Sequence, residues 1–354
     1  MNAFDPEMVQ GGKRRIASHY YPMIGPYDSS DSAVIEYHLL LMKLAGVDGL
    51  IADWYGLTDH FDYAMVHRNT AALFEPAAKF GLKIGICYED QTISELVKAN
   101  KLSASERVPH ARKELEWLRT HWFGEPVYLK VKGQPVLLSF GQSGLTDREW
   151  EEVLHLQSNA PLYLSEHRRR SAAAGAFDWP VPQNVWNKLD SFYNTLKDWP
   201  VAMPVAFPRF HDIYSEAGVH ASWGQIPDDG GRTFIRTFGR ALESKTALVQ
   251  IATWNDWGEG TMIEPSEQFG YRDLEAVQRL RRERIDPQFA YQPGDLRLAH
   301  RLFLLRRHEP QQPLLRSELD KVARQLAAGA LSDARAALEN IEAVIRWVYG
   351  PLHS

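Results

Sequence analysis

The chain has 354 residues, 44% of them hydrophobic and 24% charged, with a formal net charge of −5. No basic excess exists to neutralise phosphates, which argues against nucleic acid as a partner, and the apolar content argues against disorder. A single cysteine, Cys87, excludes an intrachain disulfide and any multi-cysteine metal site. Arg15 to Tyr21 reads as a first strand, stopped by Pro22. Val34, Tyr37, Leu41 and Leu44 then recur at helical spacing up to Gly46. Val47 to Trp54 predicts a second strand, Tyr63 to Phe80 a helix stopped by Gly81, and Leu82 to Tyr88 a third strand running into Glu89 and Asp90. The box from Ser103 to Glu106 opens a helix reaching Thr120. Pro135 to Phe140 is the fourth predicted strand, Asp147 to Gln157 a helix, and Pro161 to Glu166 the fifth strand. Ala176 to Trp179 and Val201 to Phe207 are weak sixth and seventh strands in a loop-rich stretch. Thr233 to Leu242 is helical, Ala247 to Trp254 is the eighth strand, and Asp273 to Arg281 opens a last barrel helix.

Short apolar strands without polar alternation suit a sheet buried on both faces. Eight β–α units in about 280 residues predict an α/β fold, a (β/α)8 TIM barrel spanning residues 13–290. An open doubly wound sheet is the alternative, disfavoured because no Gly-rich phosphate fingerprint follows the first strand. Residues 291–354, rich in Ala, Leu, Arg and Glu with helical periodicity, predict a C-terminal helical extension packed on the barrel. The apolar runs are too short for a membrane span. Met1 to Gln10 holds Asp5 and Glu7 and no apolar core, so no signal peptide is expected there. A cytoplasmic location and export with a removed leader both stay open.

In such barrels reactive groups gather at the C-terminal ends of the strands. Those ends carry His19-Tyr20-Tyr21, Asp53-Trp54-Tyr55, Glu89-Asp90, Glu166-His167 and Trp254-Asn255-Asp256-Trp257-Gly258-Glu259-Gly260. Acids interleaved with aromatic rings suit an oligo- or polysaccharide: carboxyls handle hydroxyls and the glycosidic oxygen, and rings stack on sugar C–H faces. Cleavage of a glycosidic bond usually takes two carboxyl groups. Asp256 and Glu259, three apart, would share a face of a helical turn. They are the candidate catalytic pair. His19, Tyr20, Asp53, Glu89, Glu166 and Asn255 are candidate hydroxyl binders, and Trp54, Tyr55 and Trp257 candidate stacking walls. Glu89 and Asp90 are adjacent and point opposite ways, which favours Glu89 as the one facing the cleft. His60 and His67 lack a third ligand, Cys87 sits in an apolar strand, and no Gly-x-Ser-x-Gly elbow occurs. No metal site and no cofactor are expected.

At these residues the chain resembles glycoside hydrolase families 99 and 71. The resemblance rests on His19-Tyr20-Tyr21-Pro22, on Gly49 to Gly56 (GLIADWYG), on Lys130 to Leu137 (KVKGQPVL) and above all on Trp254 to Pro265 (WNDWGEGTMIEP). It covers roughly residues 15–285. Family 99 holds endo-α-1,2-mannosidases and mannanases, with an Asn-Glu-Trp-x-Glu-Gly run. The resemblance implies that the first acid deprotonates the sugar 2-hydroxyl, giving a 1,2-anhydro intermediate and net retention, and that the second is the acid, then base. Glu259 matches the second position. Asp256 stands at the first, one methylene shorter, and Met23-Ile24-Gly25 departs from the Trp-rich run of the mannosidases, so mannose specificity does not carry over. The function expected is therefore hydrolysis of an α-linked glycan without metal. A non-hydrolytic glycan-binding or polysaccharide-biosynthesis accessory protein on the same barrel is the alternative, and a lyase or metal-assisted hydrolase is the third option.

Overall fold

The computed structural model describes residues 18–141, 143–155, 160–307 and 313–349. In chain order the elements are α1 (Ser32–Ala45), β1 (Gly49–Trp54), α2 (Tyr63–Ala72), α3 (Phe74–Phe80), β2 (Lys83–Tyr88), α4 (Gln91–Lys98), α5 (Arg107–His121), β3 (Lys130–Val131), β4 (Gln134–Ser139), α6 (Asp147–His155), β5 (Leu162–Glu166) and β6 (Gly175–Phe177). They continue with α7 (Val185–Thr195), β7 (Val201–Met203), β8 (Val205–Ala206), β9 (Phe210–His211), β10 (Gln225–Ile226), α8 (Arg232–Glu243), β11 (Gln250–Ile251), α9 (Arg272–Arg284), α10 (Leu296–Arg306), α11 (Pro313–Ala328) and α12 (Leu331–Tyr349). Strands β1, β2, β4, β5, β6 and β7 lie side by side in that order, and the pairings from β2 to β7 are parallel. β8 pairs in parallel with β11, while β9 and β10 form a small antiparallel pair. This alternation of parallel strands and helices is that of an α/β barrel, with α10 to α12 as its C-terminal helices.

Register explains which side chains face inward. Cys87, Leu138, Leu164, Gly175 and Val201 occupy one line across the sheet, and Glu166, Phe177 and Met203 the line two residues on. Strand side chains alternate, so both lines project to one face. That face is the apolar cluster of Cys87, Val136, Leu138, Leu162, Leu164, Phe177 and Met203. Glu89, two residues beyond Cys87, and Glu166, two beyond Leu164, therefore stand on an apolar floor. On the opposite face Trp150 of α6 stacks on Tyr163 at 4.4 Å, and the Tyr88 hydroxyl donates to Glu114 of α5. Gly175 is required where it sits, since an added Cβ would lie 1.6 Å from the Val201 carbonyl oxygen.

By packing, the described chain divides into two units. The first, residues 18–20, 50–72 and 83–263, holds the strands; the second, residues 21–49, 73–82 and 264–349, holds α1, α3 and α9 to α12. In the second, Arg306 of α10 pairs with Glu36 of α1 and Asp320 of α11, at 2.8 and 2.6 Å. Phe303 packs on Tyr37 with ring centroids 5.3 Å apart. The C-terminal helices thus share a unit with α1, and the expected boundary at residue 290 does not coincide with this division.

Several predicted elements differ in detail. Residues 15–17 of the expected first strand and Gln157 of the expected helix lie outside the described residues. Ser18 to Tyr21 form no strand, and Pro22 makes only an isolated bridge with Ser266. The helix expected from Tyr63 to Phe80 breaks between α2 and α3, where Pro76, three residues into the second piece, can donate no N–H to the turn before it. The expected seventh strand splits at Pro204 for the same reason, and the eighth shrinks to Gln250–Ile251. Helices α4 and α7 and the β9–β10 pair were not among the predicted elements.

Candidate active site

Asp53 and Trp54 are consecutive in β1 and must point to opposite faces. Exposure alternates accordingly: Ile51 and Asp53 are partly open, Ala52 and Trp54 buried. Asp53 hydrogen-bonds the Cys87 thiol on the inward face. Trp54 turns the other way. Its indole Nε1 donates to His67 Nδ1 at 3.1 Å, and its ring stacks on Trp117. With 0% of its surface exposed, Trp54 has no face for a sugar and is a core residue, which corrects its expected role as a wall. Trp257, 1% exposed, is corrected likewise as a wall, and Asn255 is also 1% exposed. Tyr55 stays partly open, edge-on to Tyr63.

The stretch from Thr253 to Ile263 folds on itself. Thr253 N–H donates to the Thr261 carbonyl and Ile263 N–H to the Thr253 carbonyl, both at 3.0 Å. Within it Asp256 Oδ1 accepts the Glu259 backbone N–H at 2.9 Å, so the i, i+3 spacing closes a side-chain-capped turn. The turn is tied to the segment after β8: His211 N–H donates to the Glu259 carbonyl at 2.8 Å and Ile213 N–H to the Gly258 carbonyl at 3.0 Å. From the same segment the Tyr214 hydroxyl donates to Glu259 Oε1 at 3.3 Å. Glu259 Oε2 is buried with no hydrogen-bond partner among the described residues. His19 stacks on His211 with centroids 3.8 Å apart, and the Tyr20 hydroxyl lies 3.5 Å from His211 Nδ1.

Glu89 and Asp90 part company as adjacent residues must. Glu89 accepts from Gln91 Nε2 at 2.7 Å and feels the charges of Asp53 and Glu166; Asp90 accepts from Trp150 Nε1 at 2.7 Å and Leu145 N–H at 3.1 Å, on the helix side. Glu166 accepts the Gly141 N–H at 3.2 Å and lies 3.4 Å from His167 Nε2.

Electrostatics follow from burial and crowding. Burial first, then the Asp256 charge, pushes the Glu259 carboxyl well above its ordinary range, and the Tyr214 hydrogen bond partly opposes this. Asp256 is pushed up to about 6, chiefly by burial, with Asp53 adding and the Glu259 N–H subtracting. Glu89 is raised by burial and then by Asp53, and Glu166 by burial against the pull of His167. At Glu259 these are the conditions that keep a carboxylic acid protonated near neutral pH, as a general acid needs. No group of three metal-ligating side chains suited to an ion occurs among the described residues.

Sequence reasoning did not single out Tyr214, His211 or Asp178. Tyr214 and His211 lie in a loop and a two-residue strand with no periodic signal, and only the fold brings them to the acids; Asp178 directly follows β6, within the predicted sixth strand, where the strand-end rule could have found it.

Comparison with known proteins agrees on fold and kinship. Residues 3–166 match the profile of glycosyl hydrolase family 99, and residues 232–277 match that described as Glycosyltransferase WbsX. The chain is 24% identical over 281 residues to a glycoprotein endo-alpha-1,2-mannosidase-like protein of Danio rerio, covering 70% of this chain and 60% of that one. It is 21% identical over 281 residues to glycoprotein endo-alpha-1,2-mannosidase of Rattus norvegicus, covering 70% and 57%. The matched part thus spans less than two thirds of either relative. The solved GH99 endo-alpha-mannosidase of Bacteroides thetaiotaomicron superposes with a TM-score of 0.60 at 18% identity, covering 75% of this chain and 82% of that one. The fold is that of a (β/α)8 barrel, and the chain is related to family 99.

Proposed function

We propose that this family 99-related chain hydrolyses an α-linked glycosidic bond, with Glu259 as general acid and then base and Asp256 as its partner. One observation carries the reading. Glu259 is held through Oε1 by Tyr214, while its Oε2 is buried without a hydrogen-bond partner beside the charges of Asp256 and Asp53. That oxygen is free to take a proton to a glycosidic oxygen. The family resemblance supplies the route. As the 2-hydroxyl oxygen attacks C1, Asp256 takes its proton and Glu259 gives its own to the departing oxygen. The C1–O bond breaks and a C1–O2 bond forms; water then attacks C1 and loses a proton to Glu259, the C1–O2 bond breaks, and Asp256 returns its proton to O2. Asp53, Glu89 and Glu166 then serve as hydroxyl acceptors, with Tyr20, His19 and Tyr55 along the rim.

The test compares Glu259→Gln with the wild type on an activated aryl α-glycoside and on a natural α-linked glycan. The variant should lose about 10³-fold or more on the glycan and much less on the aryl glycoside, whose leaving group needs no proton. Full turnover of both by the variant overturns the assignment.

The match of residues 232–277 to a profile described as Glycosyltransferase WbsX favours a second reading, because that stretch contains Asp256 and Glu259. There the same acids bind a glycan during polysaccharide assembly without cleaving it. Glycan binding by the wild type with no release of reducing ends selects it.

A further inference from the structure

Glu166 ends β5, Asp178 follows β6, and His167 lies between their carboxyls. His167 Nδ1 is 2.9 Å from Asp178 Oδ1 and Nε2 is 3.4 Å from Glu166 Oε1. Asp178 is 3% exposed and Glu166 9%, so neither carboxyl is a solvated rim charge. The backbone is bent to make this contact: His167 has φ of 58°, a left-handed conformation uncommon outside glycine, and its N–H donates to the Phe177 carbonyl at 2.7 Å. We infer that His167 is a positioning residue: anchored by Asp178, it presents a cationic N–H to Glu166 and keeps that carboxyl ionised and oriented as a hydroxyl acceptor for the glycan.

The physical need is clear from the neighbourhood. Burial is what chiefly pushes the Glu166 carboxyl toward protonation, and the negative charge of Asp178 adds to it. A protonated carboxyl is a poor acceptor. The charged groups bearing on the pair are Asp178 and Lys188 on His167, and Asp178 and Arg170 on Glu166. Arg170 is also occupied elsewhere, donating to the Leu145 carbonyl at 2.6 Å and lying 3.6 Å from Asp147. His167 is therefore the cation closest at hand. Burial alone would lower its affinity for a proton, yet the bond to Asp178 and the charge of Glu166 leave it raised above the ordinary histidine value.

The inference rests on the glycan reading of the site, and its test separates the two. In His167→Asn, which tolerates the left-handed backbone, the glutamate carboxyls are followed by 13C NMR through a pH titration. The Glu166 signal, assigned by its loss in Glu166→Gln, should titrate at higher pH in this variant than in the wild type. An unchanged midpoint overturns the proposal whether or not any glycan is cleaved. On the activity side, kcat/KM of His167→Asn relative to wild type should fall roughly tenfold where the wild-type imidazole carries its proton and converge as pH rises through its titration. A loss of equal size at every pH marks a merely structural role and also overturns it. Absence of wild-type turnover on any glycan would sink the hydrolase reading and leave the NMR result standing.

Discussion

Tyr214 and Glu259 are joined by a 3.3 Å hydrogen bond from the phenol to one carboxyl oxygen, made from a segment whose own backbone is tied to the Glu259 turn. The bond favours the ionised carboxyl and so opposes burial, which favours the neutral one. Tyr214→Phe removes the donor and keeps the ring. The Glu259 proton should then be held more tightly, and the alkaline limb of the kcat profile should move to higher pH. At neutral pH kcat should drop by about 3- to 10-fold, the worth of one ordinary hydrogen bond. A pH–rate series on both proteins checks it; an alkaline limb that stays put or moves down contradicts the assignment.

Asp256 carries two duties that substitution can separate. One oxygen caps the turn by accepting the Glu259 N–H, and the carboxyl is pushed up to about 6 by burial. As a base it must be ionised, so activity should rise as pH climbs through about 6. Because Asp256 and Glu259 interact, the midpoint belongs to the pair. Asp256→Asn keeps an oxygen for the cap and abolishes the base: kcat should fall about 10²-fold or more with stability little changed. Asp256→Ala loses the cap as well and should cost about 1 kcal/mol of stability on top. Thermal melts beside kinetics distinguish the two.

Much of this arrangement was readable in the sequence, and the parts that were not have physical reasons. Parallel strands with apolar inner faces gave away the barrel, because burial on both sides leaves long runs of Val, Ile and Leu. Asp53 and Trp54 were read as neighbours in one cleft, although strand alternation already forbids it, just as it separates Glu89 from Asp90. Trp254 to Gly260 is legible as a dense aromatic–acid motif, yet the motif cannot say that Trp257 and Asn255 are buried. Tyr214 and His211 are invisible in the sequence because tertiary proximity alone gives them a role. The segment from Phe207 to Ile226 pairs only two residues at a time, too few for any periodicity to register.

Asp90 offers a test in stability rather than activity. Burial raises its carboxyl to about 7, against the hydrogen bonds from Trp150 and Leu145, and its Oδ1 is buried with no hydrogen-bond partner. A group raised in the folded state binds its proton more tightly there than in the unfolded chain, where it titrates near 4. Its contribution is therefore fully present below about pH 4 and lost as pH rises through about 7. Asp90→Asn keeps an acceptor for Trp150 and Leu145 and cannot ionise. Relative to wild type, the variant should gain about 2–3 kcal/mol between pH 5 and pH 8. Urea unfolding of both proteins at the two pH values measures the difference directly, and a gap that does not widen with pH contradicts the buried neutral carboxyl.

Gly260 and Gly258 flank Glu259 and should respond very differently to the same substitution. Gly260 has φ of 67°, and an added Cβ would stand 2.8 Å from both the His211 carbonyl oxygen and the Tyr20 ring. Gly258 shows no positive φ, and its Cβ would meet only Asp256 Oδ1 at 3.5 Å, an ordinary contact. Gly260→Ala must adopt a left-handed backbone at about 1–2 kcal/mol and also displace the segment that ties Glu259 and Tyr214 together. Since a misplacement of about 1 Å can cost 10²-fold, its kcat should suffer more than its melting temperature suggests. Gly258→Ala should melt close to wild type and keep kcat within about threefold. If the two variants behave alike, the tie between the Glu259 turn and the His211 segment is not what sets the acid in place.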